Sequence, residues 1–263
     1  MKPYYQDDFV TLYHGDCREV LPTLKDRSID IVFTDPPYGN NNNNNGDLIH
    51  RWEAALGKTK NVTQACARPI ANDSIHEMKE IVDYSLIEYA RVLKKVCCCC
   101  CCCGGGGGGP KPPTFAWLAN RMDEKGLSFF HAVVWDKGGL GMGWTYRRNY
   151  EMVMIAHLKG GKLKWECKTS GMETANVVRI GKIIPSKNDH PTPKPLALPL
   201  HFLGLHGKAG DVVLDSFAGG GTTLVAAKQL GMKAIGVELE ERWCELSARR
   251  LSQEVFNFGE DVR

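Results

Sequence analysis

The sequence predicts an α/β protein with an open, mostly parallel β-sheet, and three observations carry that prediction. The apolar run Ile29–Thr34 is typical of a strand buried on both faces of such a sheet. Residues 212–236 have the order strand, glycine-rich turn, helix, strand, which is the unit that builds parallel sheets. The length of 263 residues suits one large domain of this class or two small ones.

Seven segments are predicted as strands because they are short, apolar and bounded by turn residues. In chain order they are residues 9–12, Ile29–Thr34, 96–103, 129–135, 150–156, 211–215 and 233–237. Helices are predicted where apolar residues recur at helical spacing, or where capping residues begin and end a segment. These segments are residues 17–24, 75–95, 114–125, 190–206, 222–230 and 240–251.

The composition is that of an ordinary soluble globular protein, with 43% hydrophobic and 24% charged residues. The net charge of +3 is too small to indicate a partner by itself. Residues 1–8 lack the apolar core of a secretory signal, and no apolar stretch is long enough to span a bilayer. We therefore expect a cytoplasmic protein with no membrane partner.

Seven of the eleven cysteines are consecutive, at positions 97–103. A disulfide framework or a zinc site of the C-x-x-C kind needs spaced cysteines, so the run predicts neither. Free cysteine behaves as a small buried hydrophobe. We therefore interpret the run as a buried strand and expect no metal site.

The turn Asp35-Pro36-Pro37-Tyr38 is the strongest candidate for a reaction centre. Its prolines cannot extend the preceding strand, so the chain turns where ligands bind in open α/β sheets. An exocyclic base amine becomes more nucleophilic when two acceptors hold its hydrogens, and Asp35 and a proline carbonyl are such acceptors. Tyr38 offers a flat face on which a flipped base can stack. From these residues alone, a structural turn that packs Tyr38 remains the alternative.

The second predicted turn indicates a mononucleotide-type cofactor site. Glycines at 219–221 let the backbone approach a ligand, and the helix that follows presents free N–H groups. Glu238 ends the next strand, where an acidic residue can bind ribose hydroxyls. Leu224 occupies the position of the third glycine in the dinucleotide pattern G-x-G-x-x-G, which disfavours a nicotinamide cofactor.

Two further segments are candidates for substrate contact. Residues 39–74 have no clear period and follow the candidate reaction centre, which favours a substrate-facing loop over disorder. Residues 147–187 contain nine lysines and arginines against three glutamates, with Trp165 among them, which fits nucleic-acid contact. A solvated basic surface is the alternative for this second segment.

Together these segments resemble the S-adenosylmethionine-dependent DNA amino-methyltransferases, which modify N6 of adenine or N4 of cytosine. Asp35-Pro36-Pro37-Tyr38 resembles the catalytic motif of that family, and residues 215–223 resemble its methionine-binding loop. Residues 236–238 resemble its ribose-binding strand end, and residues 190–195 the segment that precedes the loop. The catalytic motif precedes the cofactor loop, which is the order of the β group of bacterial and phage enzymes, known from restriction-modification systems.

The resemblance covers most of the chain and implies its architecture. It implies a Rossmann-like class I methyltransferase fold, whose seven-stranded, mostly parallel sheet has helices on both faces and one antiparallel strand, residues 150–156. The whole chain, 1–263, would form one catalytic domain. Residues 39–74 would be its substrate-facing loop, and a short basic insertion for DNA recognition would lie at about 157–189.

The resemblance also implies roles for single residues. Asp35 and the carbonyl of Pro36 would accept the amine hydrogens, Pro37 would keep the turn rigid and Tyr38 would stack on the base. The cofactor, S-adenosylmethionine, would be bound by Asp16, Lys194, Asp215, Phe217, Gly219, Gly221, Thr222, Thr223 and Glu238. DNA, the expected partner, would be contacted by Arg147, Arg148, Lys162, Lys164 and Lys168. No metal is implied, and a homodimer stays open.

The chain departs from the family pattern at three places. Ser216 stands where the family usually has proline, and Gly220 where it usually has serine. The usual Lys-Pro-Gly-Gly turn before the third strand is replaced by Lys94-Lys95-Val96 and the cysteine run. The last departure leaves the local geometry of that strand open.

Several functions remain open at this point. Aspartate at the first motif position favours adenine N6 in this family, and serine favours cytosine N4, so Asp35 favours adenine. Methylation of a protein glutamine is a further alternative, although those enzymes carry asparagine at this position. A catalytically silent nucleic-acid-binding protein on the same fold is the alternative from another class, and the intact residues Asp35, Tyr38, Asp215 and Glu238 argue against it.

Overall fold

A computed structural model describes residues 1–39, 71, 73–103, 114–139, 149–168, 171–183 and 193–253. These residues contain strands β1 (Tyr5–Gln6), β2 (Val10–His14), β3 (Ile29–Thr34), β4 (Leu93–Cys103), β5 (Leu127–Asp136), β6 (Tyr150–Leu158), β7 (Lys162–Leu163), β8 (Val177–Arg179), β9 (Val212–Asp215) and β10 (Lys233–Glu238). The helices are α1 (Cys17–Val20), α2 (Ile75–Val92), α3 (Thr114–Glu124), α4 (Ala197–His206), α5 (Thr222–Gln229) and α6 (Glu241–Ser252).

The sheet is mixed and mostly parallel, as expected. Its order is β1-β2-β10-β9-β3-β4-β6-β5-β8, and β7 pairs with β4 beside this path. The long strand β6 runs antiparallel to both of its neighbours, which confirms the expectation for residues 150–156. The expected count of seven strands is wrong, because the short strands β1, β7 and β8 bring the described sheet to ten.

Strand β3 lies at the centre of the sheet, parallel to β9 on one side and β4 on the other. All six of its residues are buried, which explains its unbroken apolar run. Val32 pairs with Leu214, so β3 and β9 end at nearly the same level. Their carboxyl ends therefore bring the Asp35 turn and the glycine-rich turn together, as ligand sites in open α/β sheets require.

The cysteine strand divides its side chains between the two faces of the sheet. Cys97, Cys99 and Cys101 belong to one hydrophobic core cluster, which is built with α2. The alternate residues Cys98, Cys100 and Cys102 belong to the other cluster, which includes residues of α4 and α5. Successive strand residues point to opposite faces, and a double-sided buried strand accepts small apolar side chains on both. The interpretation of the run as a buried strand is confirmed for these six residues.

Three helix boundaries differ from the sequence prediction by three residues or more. Helix α1 ends at Val20 and not at 24, because the chain tightens there into a short 3-10 helix, Leu21–Thr23, that contains Pro22. Helix α2 ends at Val92 and not at 95, because Leu93 pairs with Ile29 and Lys94 bonds Asp30 at 2.7 Å, which draws this segment into β4. Helix α4 begins at Ala197 and not at 190, because Lys194 precedes Pro195, and a residue before proline is disfavoured from helical backbone. Pro199 lies in the first turn, where a missing N–H costs no helical hydrogen bond.

The basic segment is partly built into the sheet. Strand β7 pairs with β4, and β8 adds to the edge of the sheet beside β5. Among the described residues, every helix is too short or too polar to cross a membrane.

Candidate active site

A cavity of about 410 Å³ opens at the carboxyl ends of β3, β9 and β10. The whole candidate catalytic turn and most of the glycine-rich turn contribute to its walls. The residues of the sequence prediction that line it are Asp16, Asp35, Pro36, Pro37, Tyr38, Lys194, Asp215, Phe217, Gly219, Thr222, Thr223 and Glu238. The fold thus gathers into one cavity the predicted catalytic residues and all the predicted cofactor residues except Gly221.

Gly221 shapes the loop from behind and does not line the cavity. It is the N-cap residue of α5, with φ +76°, and a Cβ atom there would lie 2.7 Å from Ser247 Oγ. Ser247 in turn donates a hydrogen bond of 2.8 Å to the carbonyl of Gly219. Arg250 donates to the carbonyl of Gly220 and to Thr222 Oγ1 at 3.2 Å. Helix α6 therefore holds the glycine-rich turn in place, which the sequence did not indicate.

Asp215 and Glu238 line the cavity at the ends of β9 and β10. Asp215 Oδ1 accepts hydrogen bonds from Thr34 Oγ1 at 2.8 Å and from the Phe217 N–H at 3.1 Å. Burial raises the pKa of Asp215 to about 6. Glu238 accepts from the N–H groups of Gly219 and Glu240, both at 2.8 Å, and burial raises its pKa to about 7.

These features fit a nucleoside cofactor with ribose hydroxyls. The cavity volume lies within the range of small-molecule sites. Burial costs the ionised form of Glu238 its hydration, and hydroxyl donors from a ligand would restore part of that stabilisation. Glu238 also ends β10, at the position where a ribose-binding acid stands in nucleotide-binding sheets.

Asp35 and Tyr38 are joined to two residues of distant strands and loops. The Tyr38 hydroxyl donates to Asp35 Oδ1. Lys194 Nζ lies 2.6 Å from Asp35 Oδ2, 3.1 Å from the Tyr38 hydroxyl and 3.5 Å from Glu151 Oε2. Lys137 Nζ lies 2.9 Å from the other oxygen of Glu151. The result is a continuous network of alternating charges that ends on Asp35 and Tyr38.

The opposite charges of this network stabilise the ionised forms of Lys194 and Glu151. Burial alone would lower the pKa of Lys194, but the carboxylates of Asp35 and Glu151 outweigh it and raise the value. Burial alone would raise the pKa of Glu151, but Lys194 and Lys137 outweigh it and lower the value. Burial, together with the charges of Asp35 and Glu151, raises the pKa of Tyr38 well above its usual range. Lys194 and Glu151 are therefore charged at neutral pH, and Tyr38 keeps its proton as a donor.

Two sets of hydrogen bonds hold the turns of the site in place and could not be predicted from the sequence. The buried carboxylate of Asp73 accepts the N–H groups of Tyr38 at 3.1 Å and Gly39 at 2.9 Å, which fixes the end of the catalytic turn. Tyr89 of α2 and Ser216 share a hydrogen bond between their hydroxyls. This bond gives a reason for serine where the family usually has proline. Both contacts join segments far apart in the sequence, so no local pattern signals them.

Asp16 and Lys194 are both predicted to bind the cofactor, but their charged groups contact other protein groups. Asp16 caps α1 through the Arg18 N–H at 2.8 Å and forms an ion pair with the Arg18 guanidinium, which lowers the pKa of its carboxyl. It still lines the cavity. Lys194 also lines the cavity, but its ammonium contacts the catalytic turn.

The five residues that the sequence predicts as DNA contacts differ in whether the structure describes them and in their exposure to solvent. Lys162 and Lys168 are exposed, whereas Arg147 and Arg148 lie outside the described residues. Lys164 departs from the expectation, because its side chain is only 7% exposed and pairs with Glu166 at 2.9 Å and Asp211 at 3.2 Å. Its N–H bonds the carbonyl of Cys97, so the pairing of β7 with β4 turns this lysine inward and away from any phosphate.

Comparison with known proteins identifies the family. A family model described as DNA methylase matches residues 29–249. The type II methyltransferase M2.DpnII of Streptococcus pneumoniae is 23% identical over 96% of this chain and 93% of its own length. Among solved structures, TTHA0409 of Thermus thermophilus complexed with S-adenosyl-L-methionine has a TM-score of 0.66 and 25% identity, covering 95% of this chain and 97% of that one.

The cytosine-N4-specific PvuII DNA methyltransferase shares the fold, with a TM-score of 0.72 and 21% identity, covering 95% of this chain and 88% of that one. The match of the family model covers most of the chain and includes the catalytic turn, the glycine-rich turn and Glu238. The chain therefore belongs to the DNA methylase family of S-adenosylmethionine-dependent N6/N4 amino-methyltransferases.

Proposed function

We propose that the protein methylates the N6 amine of adenine in DNA. The observation that carries the proposal is Asp35 at the first position of the catalytic turn, where aspartate favours adenine in this family. The carboxylate lines the cofactor cavity and is held by Tyr38 and Lys194, so it faces the place where a base amine would meet the methyl donor.

The side chains divide the chemistry between holding the amine and holding the base. S-adenosylmethionine supplies an electrophilic methyl group when it is bound. Asp35 and the carbonyl of Pro36 accept the two amine hydrogens and aim the nitrogen lone pair, which makes direct displacement geometrically favourable. The Asp35 carboxylate, which accepts one amine hydrogen, is the acceptor for the proton that the methylated amine loses. No covalent enzyme intermediate is needed, so no cysteine acts as a nucleophile.

Tyr38 and Lys194 prepare the turn for the base. The Tyr38 ring stacks on a base taken out of its helix, and such a contact contributes about 1–3 kcal/mol. The Lys194 ammonium neutralises part of the negative charge of Asp35 and Glu151, which lets two carboxylates share this small volume. Lys162 and Lys168, both exposed, contribute phosphate contacts.

Mass spectrometry of nucleosides from DNA treated with the purified protein and S-adenosylmethionine tests the proposal. We expect N6-methyladenine with the wild-type protein and none with Asp35→Ala, which should still bind the cofactor. N4-methylcytosine as the sole product would replace adenine by the cytosine alternative. Cofactor binding without either product would support a catalytically silent DNA-binding protein and would contradict the proposed activity.

A further inference from the structure

Three potential metal ligands meet inside the core, away from the catalytic turn. Cys98 and Cys100 stand on the same face of β4, and His206 is the last residue of α4. One ligand atom from each of the three lies within 4.8 Å of the others, and the two sulfurs are 3.2 Å apart. Both cysteines are completely buried, and His206 is 3% exposed.

The surroundings of His206 fix its ring as they do for a metal-binding histidine. The Lys164 carbonyl lies 2.7 Å from His206 Nδ1, so a neutral ring carries its hydrogen on Nδ1 and keeps a free lone pair on Nε2. The Trp165 ring also packs against the imidazole in a T-shaped arrangement, with ring centroids 5.2 Å apart. Metal-ligating histidines almost always donate their other N–H to a carbonyl or carboxylate in this manner.

We propose that Cys98, Cys100 and His206 bind a thiophilic divalent cation of the zinc class. Two thiolates and a neutral imidazole are soft and borderline ligands that Zn²⁺ prefers. Two thiolate charges also neutralise a divalent ion, which favours Zn²⁺ over a monovalent ion in a buried site. Binding releases the two thiol protons to solvent. Bonds of about 2.3 Å to zinc require the sulfurs to separate by roughly 0.5 Å, which small side-chain rotations provide.

The site would connect the centre of the sheet to the end of α4. Cys100 pairs with Phe33 of β3, two residues before the catalytic turn, so an ion here would brace the strand that carries the turn. The histidine is more than a hundred residues from the cysteines in the sequence. Sequence spacing therefore indicated no site, and only the packing of α4 against β4 brings the ligands together.

The cysteine run supplies its own matched control. Cys99 and Cys101 form a second close sulfur pair, 3.8 Å apart, on the opposite face of the same strand and equally buried. Among the described residues, only Cys98, Cys100 and His206 form a potential ligand cluster. A double substitution of Cys99 and Cys101 by alanine therefore changes the same number of thiols in the same strand and leaves the proposed site intact.

The experiment loads the full-length protein with metal during refolding, because the site is closed in the folded state. The wild type, Cys98→Ala/Cys100→Ala, Cys99→Ala/Cys101→Ala and His206→Gln are refolded with Zn²⁺ or Cd²⁺ and then passed through a desalting column. Bound metal is measured by elemental mass spectrometry, and the intensity of thiolate-to-Cd²⁺ charge-transfer absorption counts the thiolates. Circular dichroism reports whether each variant is folded.

We expect one ion per chain and two coordinating thiolates in the wild type and in Cys99→Ala/Cys101→Ala. The Cys98→Ala/Cys100→Ala protein should lose the ion. His206→Gln should bind it at least about tenfold more weakly, since removing even an outer partner of a metal site costs that much. A wild-type protein that folds without retaining metal would overturn the proposal, whatever the variants do. Equal metal loss in the two double variants would also overturn it.

Discussion

Lys194 Nζ lies 2.6 Å from Asp35 Oδ2, although 159 positions separate the two residues in the sequence. The same ammonium is 3.1 Å from the Tyr38 hydroxyl, so one lysine contacts both polar groups of the catalytic turn. In these contacts Tyr38 serves as more than a stacking surface, because its hydroxyl donates to Asp35 and accepts from Lys194. The orientation of Asp35 is thus set by two partners before any base arrives.

The double role of Tyr38 predicts a graded series of variants. Tyr38→Phe keeps the ring but removes the hydroxyl that joins Asp35 to Lys194, so it should retain stacking and lose part of the turnover rate. Tyr38→Ala also removes the stacking contact, which costs about 1–3 kcal/mol, or roughly 5- to 150-fold. Labelled methyl transfer to DNA, measured for each purified variant, checks this order. Equal activity of Tyr38→Phe and Tyr38→Ala would contradict a role for the ring.

Glu151 is predicted to be a positioning residue. Its carboxylate lies between Lys137, at 2.9 Å, and Lys194, at 3.5 Å, and it does not belong to the catalytic turn. Glu151→Gln keeps the shape but removes the charge, so Lys194 loses one of its two carboxylate partners. The ammonium then moves toward Asp35 and displaces the turn. Displacements of about 1 Å can cost up to about 10²-fold in rate.

Steady-state kinetics separates this role from a purely structural one. We expect kcat to fall for Glu151→Gln while the KM for S-adenosylmethionine stays unchanged, because Glu151 does not line the cofactor cavity. Lys137→Met should have a smaller effect in the same direction, since it removes only the outer partner. An unchanged kcat in Glu151→Gln would show that the network is not needed for the reaction.

The glycine-rich turn should be intolerant of side chains at Gly221. A Cβ atom there would lie 2.7 Å from Ser247 Oγ, and the backbone has φ +76°. Left-handed backbone costs a residue with a side chain roughly 1–2 kcal/mol, before the contact with Ser247 is relieved. Gly221→Ala should therefore lower both the unfolding free energy and the affinity for the cofactor.

Gly204→Ala is the matched control for that substitution. Gly204 lies within α4, and no atom lies within 4 Å of the Cβ position that alanine would add. Alanine in a helix interior is more stable than glycine by roughly 0.5–1 kcal/mol. Urea unfolding should give stability changes of opposite sign for the two variants. Calorimetric titration with S-adenosylmethionine should show weakened binding for Gly221→Ala and unchanged binding for Gly204→Ala. A stabilised Gly221→Ala protein would contradict the strained geometry of the turn.

The parts of the site that follow strands could be predicted from the sequence, and the parts that depend on pairing across the fold could not. Asp35, Asp215 and Glu238 directly follow or end apolar runs, and parallel strands place such residues at one edge of the sheet. Glu151 is the second residue of a strand whose place in the sheet order, between β4 and β5, has no local signal.

Which charged residues are buried could not be predicted from the sequence either. A count of lysines and arginines assumes that each one faces solvent, which holds for Lys162 and Lys168. Lys164 lies between them in the sequence, directly after β7, and its charge is matched by Asp211, which lies nearly fifty residues later and immediately before β9. Composition contains no information on such pairings.

Cofactor affinity should depend on pH through Glu238. Burial raises its pKa to about 7, so the free protein holds this group partly protonated near neutral pH. Ribose hydroxyls donate to the ionised form and favour it, so affinity should rise as pH increases through about 7 and level off above it. In Glu238→Gln the affinity should be weak and nearly independent of pH above about 7, where Asp215, with a pKa of about 6, stays ionised. Calorimetric titrations between about pH 6 and pH 8 test the slope, and a falling affinity would contradict the assignment.

Exposed and buried lysines of the basic segment, residues 147–187, should behave differently when they are replaced. Lys162 and Lys168 are exposed, so replacing both with alanine should weaken DNA binding without a change in stability. The salt slope should fall by about one for each phosphate that these lysines no longer neutralise. Lys164 is buried beside Glu166 and Asp211, and Lys164→Ala leaves two carboxylates without this partner. Breaking a buried pair on one side typically costs about 3–5 kcal/mol, with less expected here because Glu166 is partly exposed.

Fluorescence anisotropy with labelled DNA at several salt concentrations, and urea unfolding of the same proteins, separate the two effects. Lys164→Met is the informative control, since it keeps the length of the side chain and removes only its charge. It should be destabilised like Lys164→Ala, and at temperatures where it is folded it should keep the wild-type salt slope. A reduced slope for Lys164→Met would mean that this lysine reaches DNA after all. An unchanged slope for the Lys162→Ala/Lys168→Ala protein would make those two lysines a solvated surface.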